Sequence, residues 1–185
     1  MKVTPLEIPE ILLVEPKVLG DARGYFVETF QAERYAEVGI RERFVQDNLS
    51  RSCRGTLRGL HLQHPRGQGK LVYVVEGEVF DAAVDVRVGS PSFGKWAGTL
   101  LSSRDHRQMY IPPGFAHGFC VMSEYALFAY KCTDVYLPQQ ELGVAWNDPA
   151  LAIPWPVSQP IISEKDQHFS PLAAIDPARL PRWKG

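Results

Sequence analysis

Three polar side chains capable of acid–base or electrostatic chemistry, His61, Gln63 and Lys70, lie within one short apolar part of the chain. If residues 56–63 form a strand, His61 and Gln63 point to the same side of it. Lys70 follows at the start of the next apolar segment, where alternation gives it valine neighbours on its own face. Burying such groups without partners would cost on the order of 1–3 kcal/mol each. The sequence therefore predicts a polar pocket lined by these side chains.

Arginine is concentrated between residues 23 and 66, where eight of the thirteen arginines, five acidic residues and no lysine give a local excess of +3. Paired guanidinium hydrogen bonds suit phosphate oxygens, so this excess favours a phosphorylated small ligand. Arg23 and Arg58 each precede a glycine, at a bend that we expect to lead into the core. Other arginines on or near a predicted helix are interpreted as solvated surface side chains: Arg34, Arg41 and Arg43.

The remaining histidines and the cysteines carry weaker signals. Three histidines lie in loops or polar segments and are expected at the surface: His64, His106 and His168. The cysteines are an odd set without a C-x-x-C pair, and we expect all of them to be reduced structural thiols: Cys53, Cys120 and Cys132.

The elements that must position these residues are short. Glycine and proline, 15 of each, are spread along the chain and predict many turns. Between the turns, β-branched and aromatic residues favour strands over helices. The predicted strands are Tyr25–Phe30, Phe44–Leu49, Thr56–Gln63, Lys70–Val75, Val79–Arg87, Trp96–Leu101, Gln108–Ile111, Phe115–Met122, Tyr125–Lys131 and Val144–Trp146.

Alternation is clearest in Val79–Arg87, which we interpret as a half-buried strand with Asp81 and Asp85 on its polar face. A helix is predicted over Gln31–Val38, and a weaker one near Ser170–Pro171. The pattern predicts an all-β fold, an antiparallel jelly-roll barrel with short flanking helices. We expect one domain over residues 1–185, with a C-terminal tail from about residue 170 that is irregular from Pro177.

Composition excludes several classes of function. The net charge of −1 and the pI near 6.5 argue against nucleic acid and anionic membranes as partners. The longest apolar runs, Leu71–Val75 and Tyr125–Tyr130, are far shorter than the roughly 20 residues of a membrane span. Charged residues and prolines interrupt the first residues of the chain, where a secretory signal would be apolar. We therefore expect a cytoplasmic protein.

Two segments resemble the motifs of the cupin superfamily. Pro112-Pro113-Gly114-Phe-Ala-His117 is similar to the second cupin motif, and the segment around His61 corresponds to the first. Metal-binding cupins carry H-x-H and a downstream glutamate in the first motif. Here Gln63 replaces the second histidine, and Lys70 stands where a ligand carboxylate is expected. An ammonium group in that position argues against a divalent cation, so no metal is expected.

A longer series of motifs, found in order from about residue 1 to residue 175, resembles the dTDP-4-dehydrorhamnose 3,5-epimerase family of metal-free cupins. The resemblance implies a homodimeric jelly roll that uses no cofactor. The motifs are Asp21-x-Arg23-Gly24-x-Phe26-x-Glu28, Gln46-Asp-Asn48-x-Ser50, Arg58-Gly-Leu-His61-x-Gln63, Lys70-Leu-Val, Pro112-x-Gly-Phe-Ala-His117-Gly-Phe, Tyr130-Lys-Cys-Thr-Asp-x-Tyr136, Glu141-x-Gly and Ser163-x-Lys165-Asp166.

The resemblance also implies roles for individual residues. His61 corresponds to the general base held by Asp166, and Tyr130 to the acid on the opposite face of the sugar. Lys70 and Arg58 correspond to residues near the C4 oxygen. The positions expected to bind the rest of a dTDP-sugar substrate are Arg23, Phe26, Glu28, Gln46, Asn48, Gln63, His117, Glu141, Lys165 and Tyr136, the last of which would stack on thymine.

The implied reaction inverts C3 and C5 of dTDP-4-dehydro-6-deoxy-D-glucose in dTDP-L-rhamnose biosynthesis. Both carbons are α to the C4 ketone, so each loses a proton to a base and regains one from the other face. A histidine suits the first step because its ordinary pKa of about 6.5 lies near neutral pH. Three alternatives remain: an epimerase acting at one carbon only, a metal-dependent cupin isomerase or dioxygenase, and a catalytically inactive sugar-nucleotide binding module.

Overall fold

The computed structural model describes residues 1–185 and consists mainly of short β-strands with two short α-helices. The strands are β1 (Lys2–Pro5), β2 (Leu12–Glu15), β3 (Val18–Asp21), β4 (Gly24–Val27), β5 (Gln46–Cys53), β6 (Leu57–Gln63), β7 (Lys70–Glu76), β8 (Glu78–Asp85), β9 (Trp96–Ser102), β10 (Gln108–Ile111), β11 (Phe115–Val121), β12 (Tyr125–Cys132) and β13 (Glu141–Gly143). The helices are α1 (Ala32–Glu37) and α2 (Glu164–Gln167), and single 3₁₀ turns cover Pro138–Gln140, Leu172–Ala174 and Pro177–Arg179.

The strands form two main sheets in which every pair is antiparallel. The six-stranded sheet has the order β1-β2-β10-β7-β12-β5, and the five-stranded sheet has the order β13-β6-β11-β8-β9. Strands β3 and β4 form a separate hairpin. This arrangement is the cupin-type jelly roll that the sequence predicts.

The main core lies between the two sheets. It is formed by the inward side chains of β7, β10 and β12 from one sheet and β8, β9 and β11 from the other, including Val72, Met109, Phe119 and Phe128. Alternation along each strand sends every second side chain into this layer. The polar pocket predicted from the sequence must therefore open from this interior.

Each sheet is also covered on part of its outer face. Residues of the C-terminal third, including Leu151 and Leu172, pack over the five-stranded sheet. Helix α1 contributes Tyr35 to a smaller cluster over the six-stranded sheet. Because both faces of the five-stranded sheet are covered, the prediction that Val79–Arg87 is half buried was wrong: Asp81 and Asp85 are both completely buried.

Asp85 is buried because its carboxylate is fully hydrogen-bonded. It accepts hydrogen bonds from the Arg87 side chain and from the hydroxyls of Ser90 and Ser92. Burial alone would raise the pKa of Asp85, but these hydrogen bonds outweigh it and hold the pKa below its usual range. The polar face of the predicted strand is thus an internal ion pair rather than a solvated surface.

The first predicted helix is confirmed, with Gln31 as its N-cap. The second was misassigned: the helix is α2, capped by Ser163, and the region near Pro171 forms only a 3₁₀ turn. The tail beyond Pro177 is more ordered than expected, since it contains another 3₁₀ turn and its Leu180 is buried on the five-stranded sheet. The single-domain organisation stays our interpretation.

Nine of the ten predicted strands overlap observed ones. The predicted strand Val144–Trp146 was wrong, because the observed strand is β13, which covers the preceding residues. Val144 still exchanges two backbone hydrogen bonds with Leu60. Strands β1, β2 and β3, each four residues long, were missed. No helix is long and apolar enough to cross a membrane.

Candidate active site

A cavity of about 310 Å³ opens between the two sheets. Its walls come from both sheets, and Phe119 and Phe128 connect it to the main core. Ten of the residues that line it were predicted as site residues from the sequence: Gln46, Asn48, Arg58, His61, Gln63, Lys70, His117, Tyr130, Tyr136 and Glu141. The structure therefore brings most of the predicted site together.

His61 and Asp166 form a hydrogen-bonded pair at one wall. The Nε2 atom of His61 lies 2.8 Å from Oδ1 of Asp166, and Oδ2 accepts the backbone N–H of Gly59 at 3.2 Å. Burial alone would raise the pKa of Asp166, but the bonds from His61 and Gly59 keep it below its usual range. An ionised Asp166 favours the His61 tautomer with hydrogen on Nε2, which leaves a lone pair on Nδ1.

The position of His61 depends on a bulge in β6. His117 pairs with His61 and Phe119 pairs with Arg58, so one residue of β11 faces two residues of β6 between these pairs. A Cβ at Gly59 would lie 2.5 Å from the Gly118 Cα atom, and Gly59 has a φ of +123°. Only glycine permits this contact.

The bulge also corrects one prediction. Arg58 and His61 are three positions apart, so alternation in a regular strand over residues 56–63 would put them on opposite faces. The extra residue reverses the alternation, and Arg58 lines the same cavity as His61. Its Nε atom donates to Oγ of Ser52, an inward side chain of β5. Arg58 therefore reaches across from one sheet to the other at the mouth of the cavity.

Tyr130 and Lys70 occupy the opposite wall. They lie on the neighbouring strands β12 and β7, and Lys70 pairs in register with Cys132. Neither the Tyr130 hydroxyl nor the Lys70 ammonium makes a hydrogen bond within the chain. Burial raises the pKa of Tyr130 and lowers that of Lys70, the latter partly offset by Cys132, Asp81 and Glu141. The wall thus presents a protonated phenol and a cation without an ion-pair partner.

A second histidine–carboxylate pair lies deeper, between His117 and Asp81. Both oxygens of Asp81 lie within 3.0 Å of the His117 Nε2 atom, and both residues are buried. Burial lowers the pKa of His117, against the attraction of Asp81. Asp81 was not predicted as a site residue. Its alternation in Val79–Arg87 was interpreted as a solvated face, whereas that face of β8 points inward.

Tyr136, Glu141 and Lys165 form a cluster at the rim. The Tyr136 hydroxyl donates to Glu141 at 2.9 Å, and the Lys165 ammonium bonds both oxygens of the same carboxylate at 2.8 Å. Burial would raise the pKa of Glu141, but these bonds lower it overall. Lys165 lies outside the cavity itself and lines a second, more open one that shares Arg58 and His61 with the first.

Phe169 is a neighbour of His61 that no sequence pattern indicated. Its ring meets the imidazole edge-on at 5.7 Å between ring centres. A Cβ at Gly143 would lie 2.2 Å from the Phe169 ring, so glycine in β13 makes room for this contact. Two residues three positions apart thus hold His61: Asp166 bonds its Nε2 atom, and Phe169 packs against its ring.

Three predicted site residues lie away from the cavity: Arg23, Phe26 and Glu28. Arg23 sits at the turn of the β3–β4 hairpin, exposed and paired with Asp21, so the expectation that it leads into the core was wrong. The cause is that the hairpin is hydrogen-bonded to neither main sheet, and its turn lies at the surface. Glu28 follows the hairpin and pairs with Arg34.

The remaining predicted positions agree with expectation in most respects. Arg34, Arg41 and Arg43 are exposed, as is His168, while His64 and His106 are partly exposed. All three cysteines are free thiols. Cys120 and Cys132 are buried and Cys53 is exposed.

The donor atoms around the cavity do not form a conventional metal site. No group of three histidine, cysteine or carboxylate side chains is arranged to hold a metal ion. His61 and His117 each direct Nε2 to a carboxylate, and the Gln63 amide bonds backbone atoms of two loops. The Lys70 ammonium faces the same space and would repel a cation.

The fold and this site define a cupin-type jelly-roll enzyme with acid–base groups on facing walls. Residues 5–174 match the family model for dTDP-4-dehydrorhamnose 3,5-epimerase. The chain belongs to this family and is an isomerase.

Individual relatives agree with this assignment. A Pseudomonas aeruginosa protein named dTDP-4-dehydrorhamnose 3,5-epimerase is 53% identical over 95% of this chain and 98% of its own. The crystal structure of a Legionella pneumophila 3,5-epimerase in complex with dTDP-4-keto-L-rhamnose has a TM-score of 0.97 and 53% identity, covering 100% of this chain and 99% of that one. A Streptomyces niveus protein named dTDP-4-dehydrorhamnose 3-epimerase is 42% identical over 99% of this chain and 90% of its own.

The cavity has no set of metal-coordinating side chains and contains the Lys70 ammonium, so we predict turnover without a metal. Extensive dialysis against EDTA should leave kcat and KM unchanged, and elemental analysis of the pure protein should find no stoichiometric transition metal. A bound metal whose removal abolishes turnover and whose return restores it would contradict this prediction.

Proposed function

We propose that the cavity inverts C3 and C5 of dTDP-4-dehydro-6-deoxy-D-glucose, yielding dTDP-4-dehydro-L-rhamnose, with His61 as base and Tyr130 as acid. The single observation that carries the proposal is that these two side chains project into one cavity from different sheets. A sugar ring between the sheets would meet the base on one face and the phenol on the other. Inversion at carbon requires this arrangement, because the proton leaves one face and returns to the opposite one.

At each carbon, the Nδ1 lone pair of His61 takes the proton, and the C–H bonding electrons form the enolate with charge on the C4 oxygen. The resulting imidazolium is stabilised by the ionised Asp166. The Tyr130 hydroxyl then gives its proton to the opposite face while the enolate returns to the ketone. Solvent protonates the tyrosinate and accepts the imidazolium proton before the second carbon reacts.

Lys70 is the group best suited to the enolate oxygen. Its ammonium faces the cavity and has no ion-pair partner within the chain, so its field is available to a ligand there. A preorganised positive charge at a developing oxyanion is worth about 10²–10³ in rate in comparable sites. Arg58 at the mouth of the cavity adds a second cation near the C4 oxygen.

The nucleotide end of the substrate fits the rim. The Tyr136 ring is exposed and suits stacking on thymine. Lys165 lines the adjoining open cavity and suits diphosphate oxygens. Gln46, Asn48, His117 and Glu141 complete the proposed binding surface.

We also propose that the protein is a homodimer in which the hairpin completes the partner's site. The hairpin exposes Val18, Leu19, Tyr25 and Phe26, with Phe26 67% exposed. A two-stranded hairpin that pairs with no other strand is marginally stable alone. Leu19 and Phe26 lie opposite each other on one face of the hairpin, and exposed apolar surface of this kind suits an interface. Docked on a second copy, the hairpin would carry Arg23, Phe26 and Glu28 to that copy's rim.

The cytoplasm remains the compartment we expect. Three unpaired thiols in one chain suit a reducing environment better than an oxidising one.

The base and acid roles predict different effects of two substitutions. His61→Asn should abolish inversion and also abolish exchange of substrate protons with D₂O, because no enolate forms. Tyr130→Phe retains the base and Lys70, so exchange with retention should persist while inversion falls about 10²-fold or more, in the range of general-acid effects. NMR of the sugar protons after incubation in D₂O measures both quantities.

Either of two outcomes would contradict these assignments. Exchange that continues in His61→Asn would mean that another group removes the proton. Inversion of both carbons at the wild-type rate by Tyr130→Phe would reduce Tyr130 to a packed aromatic side chain.

The exchange of hairpins between subunits predicts complementation. His61→Asn should be inactive alone, and Arg23→Ala should be weakly active alone. After the two are mixed and subunits allowed to exchange, each heterodimer has one site that combines an intact His61 with an intact hairpin from the partner. Activity should rise well above the sum of the two separate variants.

Mixing two His61→Asn preparations that carry different tags is the control for subunit exchange. If hybrid dimers form but activity stays at the sum of the separate variants, Arg23 acts within its own chain and the proposed exchange is incorrect. A monomer by light scattering would contradict the homodimer itself.

A further inference from the structure

Gln63 was expected to bind substrate, yet its side-chain amide is occupied within the protein. Its Nε2 atom donates to the Arg66 carbonyl at 2.6 Å and to the Val135 carbonyl at 3.2 Å. Its Oε1 atom accepts the Leu137 N–H at 2.7 Å. Both amide hydrogens are thus used, and the side chain is 5% exposed. Gln63 has no hydrogen-bond donor left for a ligand.

Two of these partners, Val135 and Leu137, lie on either side of Tyr136 in the segment of residues 133–137, called here the Tyr136 loop. In an extended chain, the carbonyl of one residue and the N–H of the residue two positions later point to the same side. The Gln63 amide therefore pairs with this segment as a neighbouring β-strand would, although residues 135–137 belong to no strand. A glutamine side chain takes the place of a missing strand on one side of Tyr136.

The other side of Tyr136 is held as well. Its own N–H donates to Oε1 of Gln46 at 2.8 Å. The hydroxyl of the ring is bonded to Glu141. The backbone of Tyr136 is therefore fixed between two glutamine amides. The residue as a whole is nevertheless 48% exposed.

The third bond of Gln63 ties this loop to a second one. The Arg66 carbonyl accepts from Gln63, and the Arg66 guanidinium pairs with Asp134 in the Tyr136 loop. Gln68 donates to the Asp134 carbonyl at 2.8 Å. Gln63 thus lies at the centre of the contact between residues 64–69 and residues 133–137, and its loss would remove the two hydrogen bonds that hold the backbone on either side of Tyr136.

We propose that Gln63 is a positioning residue that preorders the Tyr136 loop so that its ring is held ready to stack on the thymine base. The inference rests on the proposed function, because it assumes that Tyr136 stacks on the nucleotide. Its physical basis is preorganisation: a ring held in the bound geometry pays less ordering cost when the ligand arrives. Gln63 then affects nucleotide affinity without touching the nucleotide or the reacting carbons.

The test compares Gln63→Ala with Tyr136→Ala in the full-length protein. Calorimetry gives the Kd of dTDP, and steady-state kinetics gives kcat and KM for the sugar nucleotide. Since base stacking is worth roughly 1–3 kcal/mol, Tyr136→Ala should raise the Kd of dTDP about 5- to 140-fold. Gln63→Ala should raise both Kd and KM several-fold with kcat within about twofold of wild type.

The double variant provides the decisive comparison. If Gln63 acts through Tyr136, Gln63→Ala combined with Tyr136→Ala should bind dTDP no more weakly than Tyr136→Ala alone. Hydrogen exchange adds a direct reading of the loop: the Leu137 amide should exchange faster in Gln63→Ala than in wild type.

Gln108→Ala is the matched control. Gln108 is also a buried glutamine whose amide holds a loop, through the Tyr35 hydroxyl and the Thr29 carbonyl, but it lies on the outer face of the six-stranded sheet, away from the cavity. It should lose stability without a change in the Kd of dTDP. If Gln63→Ala fails to fold, Gln63→Glu keeps the shape and the acceptor for Leu137 while removing the two donated bonds, and it should raise Kd in the same direction.

The outcomes separate this inference from the proposed function. If Tyr136→Ala weakens dTDP binding while Gln63→Ala and Gln63→Glu do not, or if the two losses add in the double variant, the positioning role is wrong and the proposed function stands. If Tyr136→Ala leaves the Kd of dTDP unchanged, the stacking assignment within the proposed function is wrong and the positioning role falls with it.

Discussion

The contact between β6 and β11 at Gly59 and Gly118 is the constraint on which the site depends. The two backbones approach so closely that a Cβ on Gly118 would lie 2.7 Å from the Arg58 carbonyl oxygen, and one on Gly59 would meet Gly118. The bulge that results turns Arg58 to the side of His61 and directs the Gly59 N–H to Asp166. One steric feature thus fixes the base, orders the carboxylate that supports it and brings a cation to the mouth of the cavity.

Polar groups in the cavity divide into two sets. Asp166, Asp81 and Gln63 are buried with their hydrogen bonds satisfied inside the chain, and each holds a neighbour in position. Tyr130 and Lys70 have no internal partner. Both groups line the cavity, where a ligand that displaces water would leave them unpaired unless it hydrogen-bonds to them itself. This division separates the groups that act on a ligand from those that support them.

Sequence periodicity predicted the strands and the convergence of His61, Gln63 and Lys70, because alternation with a period of two is local information. It failed where a distant segment decides the outcome. The direction of Arg58 depends on a bulge against β11, and the burial of Asp85 depends on Arg87 and the following loop. The His61–Asp166 contact spans 105 positions, so only the family resemblance could suggest it. The hairpin was misinterpreted because its apolar residues face away from the core of its own chain.

The central claim is that one base and one acid on facing walls serve both carbons next to the ketone. The most direct measurement is to incubate the wild-type protein with dTDP-4-dehydro-6-deoxy-D-glucose in D₂O and follow C3 and C5 by NMR. The account predicts deuterium at both carbons of the product, with both configurations inverted. Deuterium and inversion at a single carbon would contradict it and indicate a mono-epimerase, the activity named for the 42% identical Streptomyces niveus relative.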